Sequence, residues 1–242
     1  MFIHGHPFDR RMWAPQLRSL SAGFRVLAPD LPGYGGSPPA GRKVTMGELA
    51  DAVGRFMDAR DVARAVIVGL SMGGLVAMEL GLRAPDRVDG VVLAATTAAP
   101  VAPDEAAQRR EAADRLERDG MLDLALEMAG KLFGPAGRRD PELVEPVLSM
   151  MLHASPAGAA AAVRGRGERP DYRALLPALQ VPAMVIAGDH DAFAGEAVVA
   201  ELVAALPDPE VVRLPGIGHL PNLEAPAAFD AAVRRFASRA EA

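Results

Sequence analysis

Ser71 stands in the run Gly69-Leu70-Ser71-Met72-Gly73-Gly74, after the apolar stretch Ala65-Val66-Ile67-Val68 and before the helical stretch Leu75-Val76-Ala77-Met78-Glu79-Leu80. A serine flanked by glycines between a buried strand and a helix is the pattern of a nucleophile elbow, whose tight turn lifts the hydroxyl clear of the backbone. The glycines answer a steric demand: side chains at 69 and 73 would collide with the neighbouring strand or helix, and the turn holds Ser71 in a strained conformation. A helix beginning near Met72 adds unpaired amides and the positive end of its dipole, which favour negative charge beside the serine. The plain alternative is a flexible Gly-Ser turn, since short motifs also match by accident.

A serine hydroxyl is a poor nucleophile near neutral pH. It needs a base to take its proton and an acid to fix the base's tautomer and stabilise the imidazolium. Two later motifs supply these types, Gly188-Asp189-His190-Asp191 and Gly216-Ile217-Gly218-His219-Leu220. Ser71, an aspartate of the 189–191 turn and His219 follow in the order serine, acid, histidine. For the second aspartate the alternative role is that of a turn former bonding the backbone, and for His219 that of a satisfied structural histidine.

The positioning elements are legible as short Val/Ile/Leu-rich runs alternating with amphipathic segments, the signature of βαβ units around a buried parallel sheet. Strands are expected at Met1-Phe2-Ile3, Phe24–Ala28, before the elbow, at Val88–Ala94, Val181–Gly188 and Glu210–Leu214. Helices are expected over Arg11–Leu20, from Thr45 to Arg60 with Thr45 and Glu48 as a capping box, through Ala84, over Glu196–Leu206 and over Asn222–Ser238. Strand-end loops of a doubly wound sheet open on one edge, where residues remote in sequence converge. From about Thr97 to Leu179 no strong strand occurs: Asp104–Lys131 and Pro141–His153 read as helical and Ala157–Val163 is alanine-rich. The chain therefore divides into a core, 1–96 with 180–242, and a helical insertion, 97–179, placed after the strand that follows the elbow.

At 242 residues, half of them apolar, the chain can bury the core of one large α/β domain with such an insertion. A net charge of -5 with interspersed signs offers no basic stripe for nucleic acid or an anionic membrane. The absence of cysteine excludes disulfides, thiolate metal sites and a cysteine nucleophile, and suits a reducing cytoplasm. No stretch reads as a membrane span or export signal, so a cytoplasmic location without membrane partners is expected.

Five motifs together resemble the α/β-hydrolase superfamily: His4-Gly5-His6-Pro7, Asp30-Leu31-Pro32-Gly33-Tyr34-Gly35-Gly36-Ser37, the elbow, Gly188-Asp189-His190-Asp191 and Gly218-His219. The resemblance covers nearly the whole chain and extends to small esterases, perhydrolase-like enzymes and enol-lactone hydrolases, whose opening motif runs into a helix like Arg11-Met12-Trp13-Ala14-Pro15-Gln16-Leu17. It implies a mostly parallel α/β-hydrolase sheet with the insertion as a lid. It implies Ser71 as nucleophile, His219 as general base and then acid, and Asp191 as the residue that orients His219, because the family's acid usually closes a Gly-x-x-Asp turn; Asp189 is the competitor. Backbone amides of His6 and Met72 would form the oxyanion hole. No cofactor and no metal are implied. The expected reaction is hydrolysis of a small carboxylic ester or lactone through an acyl-enzyme. Alternatives are perhydrolysis or carbon–carbon bond hydrolysis by the same triad, separable by product analysis, and a ligand-sensing relative that binds without turnover.

Other residues carry weaker readings. His4 and His6 are two apart, but without thiols or a nearby carboxylate pair they are expected to be structural and not metal ligands. Gly33-Tyr34-Gly35-Gly36 lacks the lysine and spacing of a phosphate loop. Met121, Met128, Met150 and Met151 suit packing or an adaptable pocket, and His153 and Trp13 are candidate substrate contacts. One departure stands out: only Met1-Phe2-Ile3 precede His-Gly, where family members carry a β-hairpin. If residue 1 is the true start, the expected strand at Phe24–Ala28 becomes a sheet edge, a surface that could form a homodimer; the alternative is a longer natural chain that has been truncated or its start misassigned.

Overall fold

The computed structural model describes residues 1–240. In chain order its strands are β1 (Phe2–Ile3), β2 (Ala65–Leu70), β3 (Val88–Ala94), β4 (Ala183–Gly188) and β5 (Glu210–Leu214). Its helices are α1 (Ala14–Leu20), α2 (Met46–Asp58), α3 (Met72–Arg83), α4 (Pro103–Asp119), α5 (Leu122–Ala129), α6 (Pro141–Leu152), α7 (Pro156–Arg166), α8 (Tyr172–Leu175), α9 (Glu196–Ala205), α10 (Pro221–Glu224) and α11 (Pro226–Ala240).

The five strands form one sheet in the order β1-β2-β3-β4-β5, every neighbouring pair parallel. Alternation along the strands divides the core in two. Val91, Leu93 and Val185 face α2, α3 and α9, where Leu49, Val53, Leu75 and Leu202 are buried. Val92, Ala94, Met184 and Ile186 face α1 and α11, against Leu20, Phe229, Val233 and Phe236. Helices thus flank both faces, as the apolar runs predict. The expected capping box holds: the Thr45 hydroxyl accepts from Glu48 N at 3.2 Å and Glu48 accepts from Thr45 N at 2.7 Å.

Several elements differ from the sequence expectation. No strand forms at Phe24–Ala28; the segment lies beside β1 and receives a single backbone bond, from Phe2 N to Leu27 O at 2.8 Å. The reason is β1 itself, which spans two residues and offers too short an edge for a ladder. Its position still matters. The chain leaves β1 outward to this segment and returns on the other side as β2, so the direction of winding reverses at β1, the kind of place where open α/β sheets hold ligands.

The helix expected over Asp104–Lys131 is broken at Gly120, whose φ of 84° ends α4 while its N–H bonds Leu116 O at 3.0 Å. The C-terminal helix breaks at Ala225, before Pro226, which has no N–H to continue the ladder. Over 97–179 the described elements are helices and turns. Val44 N donates to Ala161 O at 3.1 Å, tying α7 to the loop that follows the expected strand. Among the described residues no single helix is long and apolar enough to cross a membrane.

Candidate active site

Ser71 lies at the end of β2 and caps α3, with φ 53° and ψ -113°. A non-glycine residue with positive φ carries strain of order 1–3 kcal/mol and persists only where its surroundings impose it. Here the imposition is visible. Ser71 N donates to Ala94 O at 2.8 Å, and Ser71 O accepts from Gly74 N at 2.9 Å and from the Thr96 hydroxyl at 2.7 Å. A Cβ on Gly69 would overlap the Gly73 carbonyl oxygen, and one on Gly73 would overlap the carbonyl oxygens of Ile3 and His4. Backbone cannot yield as a flexible side chain can. Gly73→Ala is therefore expected to cost about 3 kcal/mol or more, read as a lowered thermal midpoint, and an unchanged midpoint would show that the elbow is not this tightly held. Thr96, which clamps the elbow from the end of β3, was invisible in the sequence because a lone threonine gives no spacing signal.

His219 and Asp191 come from the loops after β5 and β4. His219 is 3% exposed and Asp191 5%, and the His219 Nδ1–H donates to the Asp191 carboxylate with both oxygens at 2.9 Å. Burial pushes the Asp191 carboxyl up, but the His219 ring and the amides of Phe193 at 2.8 Å and Ala194 at 3.0 Å outweigh it and hold the carboxyl below the usual range. Asp189 lies elsewhere: about half exposed, it accepts from Gly216 N at 2.6 Å, the behaviour of a turn former. Asp191 alone of the two meets the histidine. The His219 ring also packs against Phe193, the two rings tilted at 53° with centroids 4.7 Å apart.

A brace that the sequence did not announce holds this loop. Glu224, in α10, accepts from Gly134 N at 2.6 Å, Gly218 N at 3.0 Å and Leu220 N at 3.3 Å, and His219 N donates to Leu132 O at 2.8 Å. Burial, against the opposing effect of those amides, raises the Glu224 carboxyl above its ordinary value. Glu224→Gln exchanges one acceptor oxygen for a donor and leaves at least one of the three amides facing an N–H. The expected cost is about 2 kcal/mol, measured by denaturant midpoint, with a fall in turnover as the His219 loop loosens. Equal stability in both forms would remove Glu224 from this role.

His4 is fully committed: its Nδ1–H donates to Gly5 O at 2.9 Å and its Nε2 accepts from Leu31 N at 3.0 Å. Neither nitrogen is left for a metal, and no group of three or more metal-ligating side chains occurs among the described residues. His6 Nδ1 is 2.7 Å from the Tyr34 hydroxyl, and burial together with the charges of Arg166 and Arg109 keeps the ring well below its usual pKa. Neither the His6 nor the Met72 backbone amide donates to another backbone or side-chain acceptor among the described residues. Met72 opens α3, so its free amide is one of the orphans every helix start leaves.

Ser71, His6, Met72 and His219 line one cavity of ≈ 750 Å³, whose opposite wall is built by α4, α5 and α7. No hydrogen bond joins Ser71 Oγ to His219 among the described residues, a looseness common before substrate closes such a contact. Of the methionines in 97–179, Met128 reaches the cavity, while Met121, Met150 and Met151 are buried in packing. Trp13 and His153 are not part of it. Trp13 packs between Phe2 and Phe229, with ring centroids at 5.0 and 5.9 Å, and His153 donates back to Ser149 O at 2.8 Å. Phe193 and the arginines of the wall carried no sequence signal.

Several known proteins are similar to the chain over nearly its whole length. A family model described as the alpha/beta hydrolase fold matches residues 1–226. A pimeloyl-[acyl-carrier protein] methyl ester esterase of Nitrosospira multiformis is 30% identical over 253 residues, covering 98% of this chain and 93% of that protein. A thermophilic esterase from Thermogutta terrifontis, solved with malate bound, superposes with a TM-score of 0.96 at 36% identity over 100% of this chain and 89% of its own. The enol-lactonase from Burkholderia xenovorans LB400 superposes with a TM-score of 0.89 at 33% identity, over 98% of this chain and 91% of its own.

Proposed function

Because the chain belongs to the alpha/beta hydrolase family, we propose that it is a serine hydrolase that cleaves a small carboxylic ester or lactone through an acyl-enzyme intermediate. The observation that carries this reading is the buried Asp191–His219 pair opening on the same cavity as the strained Ser71.

In the first half-reaction His219 Nε2 takes the Ser71 proton while Oγ attacks the substrate carbonyl carbon. Negative charge gathers on the carbonyl oxygen, where the His6 and Met72 amides donate to it. Each such donor contributes about 3 kcal/mol to the transition state, and the N-terminus of α3 adds its dipole. The imidazolium, held by the Asp191 carboxylate, returns its proton to the leaving alkoxide as the carbon–oxygen bond breaks. Water then enters, loses a proton to His219 and releases the acid, restoring Ser71. In a lactone the alkoxide stays tethered to the acyl group, so the product is a single hydroxy acid, or its keto form when the leaving group is an enol. No cofactor takes part.

In this reading residues 1–96 and 180–242 are the catalytic core, and 97–179 are the lid that shapes acyl and alcohol selectivity. The names of the relatives, a methyl ester esterase and an enol-lactonase, support both substrate types. The test is a panel of p-nitrophenyl esters of increasing chain length beside several lactones. Turnover that depends on Ser71 is the expected result, and its absence across the whole panel would end the proposal.

A further inference from the structure

The charged residues of the cavity wall fall into two groups. Asp123 and Lys131 are typical of the exposed ones, whose fields solvent screens. Glu105, Arg109, Arg166 and Arg169 are half-buried, three cations to one anion. Arg109 is matched, its Nε donating to Glu105 at 3.1 Å. Arg169 places two of its five donors on neutral carbonyls, Ala99 O at 2.9 Å and Arg166 O at 3.4 Å, and meets no carboxylate among the described residues. Arg166, in the last turn of α7, is the exception: its Nε is buried and has no hydrogen-bond partner among the described residues.

A buried guanidinium N–H without an acceptor is costly unless something else satisfies it. The same cavity holds a second orphan, His6 Nε2. These are the two cavity-lining residues that have a buried side-chain polar atom without a partner among the described residues. The Tyr34 hydroxyl lies 2.7 Å from His6 Nδ1, and when it donates there, the neutral ring carries its proton on Nε2. Arg166 Nε and His6 Nε2 are then both donors, in a cavity that also contains Ser71. Burial and the neighbouring Arg109 lower the Arg166 guanidinium to about 10, which leaves it charged at neutral pH. What two such donors and an uncompensated positive wall accept is an anion, and a planar carboxylate suits a guanidinium best.

We propose that Arg166, with His6 and Arg169 beside it, binds a free carboxylate of the substrate, so that the natural ester or lactone is a carboxylate-bearing one. This rests on the hydrolase reading and specifies its substrate class. The carboxylate orients the molecule as well as holding it. It fixes one end against α7 while the reacting carbonyl reaches Ser71 and the free amides.

Two matched substrate pairs test this: mono-p-nitrophenyl glutarate against p-nitrophenyl valerate, with the charge on the acyl side, and 4-acetoxybenzoate against 4-acetoxybenzamide, with it on the leaving group. The wild-type enzyme is expected to prefer the anion by about tenfold or more in kcat/KM in at least one pair. Arg166→Met should erase that preference, mainly through KM, and Arg166→Lys should keep part of it. Neutral partners handled as well as the anions in both pairs would overturn the carboxylate site while leaving the hydrolase standing. Should no ester or lactone turn over, the hydrolase reading fails; in that case, and equally should these two pairs alone be inert, thermal shift with glutarate decides the site. A rise in midpoint seen in wild type and absent from Arg166→Met supports it, and equal responses in the two proteins overturn it.

Discussion

Ser71→Ala lowers turnover of a short ester by about a millionfold, the scale on which a serine triad fails when its nucleophile is removed. The size follows from position: Oγ is the only atom at the elbow that can form the acyl bond, and the oxyanion amides and cavity left behind supply only residual catalysis. The change removes one oxygen from a partly exposed side chain, so the fold should survive. Alanine inherits the φ of 53°, no worse for it than for serine. The measurement pairs the kinetic loss with labelling by a fluorophosphonate, which should attach to wild-type Ser71 and leave the variant unmarked. Retention of activity by a folded Ser71→Ala protein would exclude the acyl-enzyme mechanism.

Asp191→Asn is expected to cost about ten-thousandfold in kcat with little change in KM. The carboxylate accepts the His219 Nδ1–H with both oxygens at 2.9 Å, which leaves Nε2 unprotonated and able to take the serine proton. An asparagine can turn its NH2 toward Nδ1, favouring the opposite tautomer and putting the proton on the nitrogen that must accept one. It also withdraws the negative charge that stabilises the imidazolium. Asp189→Asn is the internal comparison, because an asparagine oxygen can still accept from Gly216 N as Asp189 does at 2.6 Å. Its activity should stay within a fewfold of wild type. A large loss at 189 with a small one at 191 would reverse the assignment.

Much of this is legible in the amino-acid sequence. β3 and β5 take the predicted bounds, and the capping box at Thr45 and Glu48 is in place. These are local matters: β-branched runs, a cap three residues from its partner and small residues at a tight turn leave marks within a few positions. The misplaced elements share a cause as well. Phe24–Ala28 has a strand's composition, but a strand also needs an edge to pair with, and β1 supplies one bond. Helical periodicity continued through Gly120 and Pro226, where a backbone angle in one case and a missing N–H in the other decided the break.

By itself the sequence determined the elbow at Ser71, the alternation of strands and helices, and a histidine placed after the last strand, because each is written in neighbouring residues. Only the tertiary structure decided which aspartate meets His219, a contact 28 residues apart in the chain. It also decided that Thr96 and Glu224 hold the elbow and the histidine loop, with Glu224 reaching Gly134 across 90 residues. Arg166, whose Nε has no partner among the described residues, lines the cavity for the same reason. Contacts of that range depend on how loops from separate strand ends pack against one another, and residue spacing carries no record of that packing.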